Sequence, residues 1–261
     1  MNQSDQFQPK LLSRHALQKE LRTISQPSYR LFAQSLVPGS APMLGIRLPA
    51  LQSLATRLAK LDWRTLLDRV MTRDVAVFYE ETLLRGFLIA TAAMEPTERF
   101  DRVDGFVDEI HDWATCDAFC ARLKFVRKIP EQCSNFFDRH HYLTDPRPFA
   151  RRFGIVMLLD HGLRVLEPDV VLAELRRVRY RDSTAAAFGG SNRNESRDGE
   201  YYVRMALAWA LSMAFVRWPD RIERTLADGT FSLQIRTMTI RKILESRQVS
   251  AELKKRLRDA K

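Results

Sequence analysis

Apolar residues recur every three or four positions along most of the chain, and no convincing stretch alternates apolar and polar residues as a half-buried strand would. The pattern therefore predicts an all-α protein. Over residues 102–124 one apolar stripe predicts a single helix facing a core: Val103, Phe106, Val107, Ile110, Ala114, Cys120 and Ala121. The other predicted helices cover residues 11–25, 49–60, 63–71, 76–93, 129–139, 150–161, 168–178, 201–217, 219–226, 232–246 and 251–258.

Short connections join these segments, several of them marked by proline, as at Glu95–Pro96, Asp145–Pro146, Glu167–Pro168 and Trp218–Pro219. Such spacing suits antiparallel helix pairs stacked in sequence, so we predict a solenoid with a concave face, forming one domain over residues 1–261. No exact internal repeat is visible, and a compact irregular bundle is the alternative.

Two segments interrupt the helical pattern. Residues 182–200, DSTAAAFGGSNRNESRDGE, are small and polar and predict a mobile loop, either a functional lid or a tolerated insertion. The stretch PGSAP, residues 38–42, separates a leading helical region, residues 1–42, from the predicted array, residues 43–261.

The charge balance adds a candidate partner. The chain has 42 Lys and Arg against 32 Asp and Glu, a net charge of +10 at pH 7, which favours an anionic partner such as nucleic acid or a membrane surface. Arginine predominates, and its planar guanidinium suits forked phosphate contacts. A solvated basic surface without such a partner is the alternative.

The cysteine content and the motifs that are absent from the sequence indicate the compartment and the chemistry to expect. Cys116, Cys120 and Cys133 are too few for a disulfide framework, so we expect a reducing compartment, the cytoplasm. The first residues lack a signal-peptide pattern and no run reaches the length of a membrane span, so we expect a soluble protein. We interpret Cys116 and Cys120 as packing residues, and expect neither a metal nor a cofactor, because zinc spacing, a phosphate loop and a dinucleotide fingerprint are all absent from the sequence.

The segment HDWATCD holds the most informative polar residue. Trp113 and Asp117 are four positions apart, so a helix places them on one face. Asp117 stands where the stripe calls for an apolar residue, and a carboxylate there is costly to desolvate unless it is paired or used. An aspartate satisfied by a nearby arginine or backbone amide is the structural alternative.

Further candidates are a tryptophan and an arginine pair. Trp209 lies in a segment that is apolar on nearly all sides, which is typical of a core residue. Arg151 and Arg152 begin a predicted helix and point about 100° apart, so we expect one to reach solvent or DNA and the other to pair with a carboxylate.

Six strings in order resemble the AlkD-like family of DNA alkylation repair enzymes, which are built from HEAT-like helical pairs. They cover about residues 43–250. They are MLGIRLPALQSLATRLAK, YEETLLRGFLIA, DEIHDWATCDAFCARLKFVRK, RRFGIVMLLDH, YYVRMALAWALSMAFVRWP and IRKILESRQVS.

The resemblance implies a fold and a set of site residues. The fold is a right-handed solenoid of antiparallel HEAT-like pairs with a basic concave face. Trp113 and Asp117 match the family's WxxxD site, with Asp117 as catalytic aspartate, and Trp209 matches its second tryptophan. Arg152, with Arg151 and Arg47, would contact DNA.

The resemblance also implies an activity. The protein would be a monomeric DNA glycosylase that removes cationic alkylated purines, such as 3-methyladenine and 7-methylguanine, from duplex DNA. It would do so without flipping the base. The alkylated base is a ready leaving group, so no general acid is needed. A carboxylate can stabilise positive charge on the deoxyribose and position water, and indole faces can add to this.

The leading region departs from the family pattern and resembles its shorter branch, in which the N-terminal DNA-engaging helix is reduced or absent. A non-catalytic DNA-binding scaffold is therefore the alternative function. A protein-interaction solenoid whose charge is incidental is a third hypothesis.

Overall fold

The computed structural model describes residues 13–72, 74, 76–127, 141–183 and 199–259. The chain divides into two compact units, unit 1 (Met1–Leu123) and unit 2 (Lys124–Lys261). Helices and turns make up the regular structure of the described residues, without a strand, which confirms the all-α prediction. Of the helices in these ranges, none combines the length and apolar character that crossing a bilayer requires.

Unit 1 contains seven helices within its described residues. They are α1 (Arg14–Thr23), α2 (Pro27–Leu36), α3 (Leu48–Leu58), α4 (Trp63–Thr65, continued by a π-helical turn, Leu66–Val70), α5 (Tyr79–Thr91), α6 (Pro96–Val107) and α7 (Trp113–Cys120). Side-chain caps start three of them: Ser13 begins α1, Asp62 begins α4 and Asp112 begins α7, each accepting a hydrogen bond from a backbone N–H in the first turn.

Helix α5 is the centre of unit 1 and packs against α3, α6 and α7. The rings of Phe106 and Phe119 lie 4.5 Å apart between centroids and are fully buried beside it. Gly86 of α5 permits this approach, because a Cβ atom there would lie 2.6 Å from the Phe106 ring. Glycine at this position therefore allows the aromatic core to contact the α5 backbone.

The prediction of one helix over residues 102–124 is wrong. Helix α6 ends at Val107 and α7 begins at Trp113, with Asp112 as its N-cap. The side chains of Val103, Phe106, Val107, Ile110 and Cys120 are buried as predicted. Ala121, at the C-terminal end of α7, is exposed, so the predicted stripe does not extend to it.

Unit 2 begins with a short 3-10 turn (Lys124–Arg127). Its other described elements are a second 3-10 turn (Tyr142–Thr144), α8 (Pro148–Met157, continued by a π-helical turn, Leu158–Gly162, and by Leu163–Val165), α9 (Pro168–Arg177), α10 (Gly199–Arg217), α11 (Pro219–Ala227), α12 (Leu233–Glu245) and α13 (Ala251–Asp259). Proline occupies the first turn of α8, α9 and α11, where its missing N–H costs no helical hydrogen bond.

Helix α10 is the centre of unit 2 and packs against α8, α11 and α12. Small buried side chains on α10, such as Ala206, Ala210 and Ala214, let its neighbours approach closely. The predicted helix at residues 129–139 and most of the predicted loop at 182–200 lie outside the described residues, although Gly199 and Glu200 belong to α10.

Candidate active site

Trp113 and Asp117 occupy successive turns of α7, as the four-residue spacing predicts. Both side chains are half-buried and line one pocket of about 230 Å³ in unit 1. The rest of the lining comes from α2, α5, α7 and the chain leading into α3: Tyr29, Ala33, Leu36, Val37, Met43, Ile46, Leu48, Tyr79, Glu80, Leu83, Ala114 and Ala118. Asp117 therefore lies in a mainly apolar recess next to an indole ring.

Helix α2 forms one wall of this pocket, and it was not among the predicted helices. The indole N–H of Trp113 donates to the backbone carbonyl of Leu36, the last residue of α2, at 3.1 Å. This bond occupies the only polar atom of the indole. The ring faces of Trp113 are what remains for interaction with a ligand.

Glu80 holds the backbone of the segment that leads into α3. Its carboxylate is buried and accepts hydrogen bonds from the N–H groups of Leu44, Gly45 and Ile46, at 2.8–3.1 Å. Gly45 has φ +82°, and a Cβ atom there would lie 2.6 Å from the carbonyl oxygen of Gln26, just before α2. The turn at residues 44–46 therefore seats α2 closely, and Glu80 fixes that turn.

A buried polar cluster holds the start of α7. The Tyr79 hydroxyl donates to one oxygen of Asp112 at 2.9 Å, and the Thr115 hydroxyl lies 2.7 Å from the other. Asp112 also accepts the Thr115 backbone N–H at 2.8 Å. Burial, reinforced by the negative charge of Asp112, raises the pKa of Tyr79 well above its ordinary value. Tyr79 therefore remains a neutral donor that fixes the orientation of Trp113 and Asp117 through Asp112.

Arg47 lies at the N-cap of α3 and is exposed. Its guanidinium stacks on Tyr29, 4.5 Å from the ring centroid, and its Nε donates to Gln26 at 3.0 Å. Within the described part of the chain it has no ion pair with a carboxylate. Because Tyr29 lines the pocket, Arg47 places a positive charge one side chain away from it. A contact of Arg47 with DNA remains a prediction.

Arg151 and Arg152 are both buried, with 3% and 5% of their surfaces exposed. Arg151 pairs with Glu200 at 2.6 Å and donates to the carbonyl of Arg179, which confirms that one arginine pairs with a carboxylate. Arg152 donates to the carbonyl of Tyr202 at 2.9 Å. The expectation that the other arginine reaches solvent is wrong, because both guanidiniums connect α8 to the start of α10 and its preceding segment. Their contact with DNA remains a prediction.

Trp209 lies on α10 in unit 2 and is half-buried, whereas its neighbours Ala208 and Ala210 are fully buried. Its apolar surroundings predict a core residue, and the structure leaves part of its indole exposed. Cys116 and Cys120 are completely buried in unit 1, which confirms the prediction that they are packing residues.

The pocket residues Tyr29, Leu36, Tyr79 and Glu80 were not predicted as part of a site. Tyr79 and Glu80 begin the string YEETLLRGFLIA, but nothing in their spacing relates them to Trp113 or Asp117. A signal for α2 exists in the proline at its first turn, Pro27, ahead of the apolar Leu31, Phe32 and Leu36.

The fold and the pocket together define an all-helical protein whose most distinctive polar group is a half-buried aspartate beside an indole. The family model of the DNA alkylation repair enzyme matches residues 17–239, which is most of the chain. The chain therefore belongs to the DNA alkylation repair enzyme family, as the six strings predict. No match was found among curated proteins or among solved structures.

Proposed function

We propose that this protein is a DNA glycosylase that excises cationic alkylated purines, such as 3-methyladenine and 7-methylguanine, from duplex DNA in base excision repair. Membership of a DNA alkylation repair family supports a role in DNA repair. The observation that supports a glycosylase activity in particular is the position of Trp113 and Asp117, which lie one helical turn apart in the lining of a single pocket.

The chemistry of the pocket fits a cationic leaving group. When an alkylated base departs, positive charge develops on the deoxyribose, and a carboxylate in a mainly apolar recess stabilises that charge more strongly than it would in water. Asp117 supplies the carboxylate and can also orient the attacking water. The indole of Trp113, whose N–H is bonded to Leu36, offers its ring face to the same charge.

Excision without base flipping enters this proposal through the family resemblance. The pocket volume of about 230 Å³ does not decide it, because a single purine base is much smaller than the drug-sized ligands that fill pockets of roughly 300–1,000 Å³. Trp209 enters this proposal through the family resemblance alone, as does the arrangement of the helices as a HEAT-like solenoid.

The test is release of 7-methylguanine from a duplex by the full-length protein. We expect Asp117→Asn to lower the single-turnover rate by about 100-fold or more. Asp101→Asn, which removes an exposed carboxylate from α6, is the matched control and should keep the wild-type rate. Absence of release by the wild-type protein, or equal rates for wild type and Asp117→Asn, would refute the proposal.

Base flipping is tested separately with 2-aminopurine placed next to the lesion. Extrusion of the damaged nucleotide would unstack the probe and raise its fluorescence, so we expect binding to leave the fluorescence nearly unchanged. A large increase on binding would contradict excision without flipping, while leaving the glycosylase proposal intact.

A non-catalytic duplex-binding scaffold is the second candidate. The position of α2 favours it, because Tyr29, Ala33 and Leu36 occupy one wall of the Asp117 pocket and the Leu36 carbonyl accepts the N–H of Trp113, so that Trp113 already contacts the protein's own chain. Such a scaffold would bind duplex DNA with an affinity that falls steeply with salt, because phosphate contacts release counterions, but would release no base. A flat salt response would reject both candidates.

A further inference from the structure

A second pocket, of about 390 Å³, lies entirely within unit 2. Helices α10 and α12 form its walls, and Ser183 closes one end. Its lining is rich in polar and cationic side chains: Ser183, Tyr201, Arg204, Met205, Gln234, Thr237, Met238, Arg241, Lys242 and Glu245. This pocket differs in character from the mainly apolar recess at Asp117.

Positive charge predominates in the lining of this pocket. Arg204, Arg241 and Lys242 face a single acidic residue, Glu245. Neither Arg241 nor Lys242 has an ion pair with a carboxylate in the described ranges, whereas other arginines of unit 2, such as Arg176, Arg221 and Arg256, do. The pocket therefore carries uncompensated positive charge.

Arg204 is the most unusual member of this cluster, because only 5% of its surface is exposed. One of its terminal nitrogens donates to the carbonyl of Arg181, but its Nε is buried and has no hydrogen-bond partner among the described residues. A buried charged donor without an acceptor is costly. An anion in the pocket would supply the opposite charge to the Arg204 guanidinium.

The surroundings of Lys242 also favour an anionic ligand. Burial lowers the pKa of Lys242, and the nearby positive charge of Arg152 adds to the effect although Glu245 opposes it. A bound anion would favour the charged lysine and offset both effects. Several cations in one pocket also match the several oxygens of a tetrahedral oxyanion better than a single charge does.

The end of the pocket at Ser183 is held in place by neighbouring hydrogen bonds. The Ser183 N–H donates to Gln234 at 2.8 Å, and the Gln234 amide donates to the Ser183 hydroxyl. Ser232, at the start of α12, donates its hydroxyl to Asp182 at 2.8 Å. The segment entering the pocket is thus fixed to α12, the helix that carries Arg241 and Lys242.

We propose that this pocket binds a phosphoryl group, as a phosphate monoester or a phosphodiester, through Arg204, Arg241 and Lys242. The ligand class follows from three cations that share one pocket with a single carboxylate. This inference goes beyond the proposed glycosylase and does not depend on it, because every residue that carries it lies in unit 2, and Asp117 lies in unit 1.

The test is calorimetric titration of the full-length protein with inorganic phosphate, replacing chloride at constant ionic strength. We expect saturable binding that Arg241→Gln and Lys242→Met each weaken about tenfold. Arg258→Gln and Lys254→Met on α13 are matched controls, because these cations resemble the pocket residues in exposure and also lack ion pairs in the described ranges. Both controls should bind phosphate like the wild type.

Absence of saturable binding would overturn the proposal, and so would an equal loss of affinity in the pocket variants and the controls. Titrations with a nucleoside monophosphate and with an undamaged duplex then identify the source of the phosphoryl group. Weakening by Arg241→Gln confined to the monophosphate assigns a free nucleotide, and weakening confined to the duplex assigns a strand phosphate. Asp117→Asn should bind inorganic phosphate unchanged, which separates this site from the glycosylase.

Discussion

The indole N–H of Trp113 donates to the carbonyl oxygen of Leu36 at 3.1 Å, joining residues 77 positions apart. Leu36 ends α2, and the last carbonyls of a helix have no partner within the helix. Trp113 begins α7. One hydrogen bond therefore satisfies the end of one helix with a side chain from the start of another, and it seats α2 beside the Asp117 pocket.

Trp113→Phe should separate the two roles of this tryptophan. The phenyl ring keeps an aromatic face but cannot donate, so we expect the free energy of unfolding to fall by about 1 kcal/mol. Base release should fall less in Trp113→Phe than in Trp113→Leu, which removes the ring face as well. Urea denaturation and single-turnover kinetics measure the two effects.

Trp218→Phe is the control for this series, because Trp218 is also half-buried but lies outside the candidate site. It should leave base release unchanged. Equal rates for Trp113→Phe and Trp113→Leu would show that the aromatic face contributes nothing to the reaction.

Filling the pocket from α2 tests whether its volume is needed. Ala33 is half-buried and lines the pocket, so Ala33→Trp should place an indole in the space beside Asp117. We expect base release to fall by at least about tenfold, since displacing a substrate by an ångström can cost 100-fold. Single-turnover release of 7-methylguanine is the measurement.

Gln34→Trp adds the same side chain at the next position of α2, which is exposed and outside the pocket lining. It should retain the wild-type rate. If both variants released base as fast as the wild type, the space between α2 and α7 would have no part in the reaction.

The sequence predicts that Trp113 and Asp117 share a helix face, because this depends only on local spacing. Trp113 and Asp117 share a face for the same reason that any residues four apart on a helix do. The break before α7 was missed because Ile110, within the break, is itself buried, so the apolar periodicity continues across it. The cap at Asp112, with Thr115 three positions later, is the local signal that marks the break.

The apolar pattern of the sequence does not predict helix α2. It has no fully buried residue, and Leu31 and Phe32 are 73% and 57% exposed, so no apolar face marks it as a core helix. Its position depends on contacts with Trp113 and with the turn held by Glu80, which are distant in sequence. Likewise, no pattern around Arg151 and Arg152 predicts that carbonyl groups and Glu200 bury both guanidiniums.

Glu80→Gln tests the carboxylate that holds the turn at residues 44–46. The glutamine oxygen can take the place of Oε1, which accepts from all three N–H groups, and the NH2 group then faces the Leu44 N–H in place of Oε2. We expect the variant to lose about 1–3 kcal/mol of stability, because the hydrogen bonds to the turn lose their charge and two donors face each other. Denaturant unfolding at neutral pH measures the loss.

Glu95→Gln is the matched control, because Glu95 is an exposed glutamate of unit 1 that makes no side-chain cap bond. Its stability should stay within about 0.5 kcal/mol of the wild type. A Glu80→Gln protein as stable as this control would show that the hydrogen bonds to the turn contribute little.

Tyr79 predicts a loss of stability in alkaline solution. Because its pKa is raised in the folded protein, the hydroxyl stays protonated there after the unfolded chain has begun to ionise near pH 10. The unfolded state then binds fewer protons than the folded state, so stability falls as pH rises above about 10. The contribution of Tyr79 is fully present below that pH and declines by up to about 1.4 kcal/mol per pH unit above it.

The comparison of wild type with Tyr79→Phe isolates this effect, because lysines and other tyrosines titrate alike in both proteins. Below pH 9 the variant should be less stable by a constant amount, since it lacks the hydrogen bond to Asp112. Between pH 10 and 11 the difference should shrink and can reverse, because phenylalanine does not ionise. A difference in unfolding free energy that stays constant from pH 8 to 11 would mean that Tyr79 titrates normally and that its hydroxyl is not held by the buried cluster.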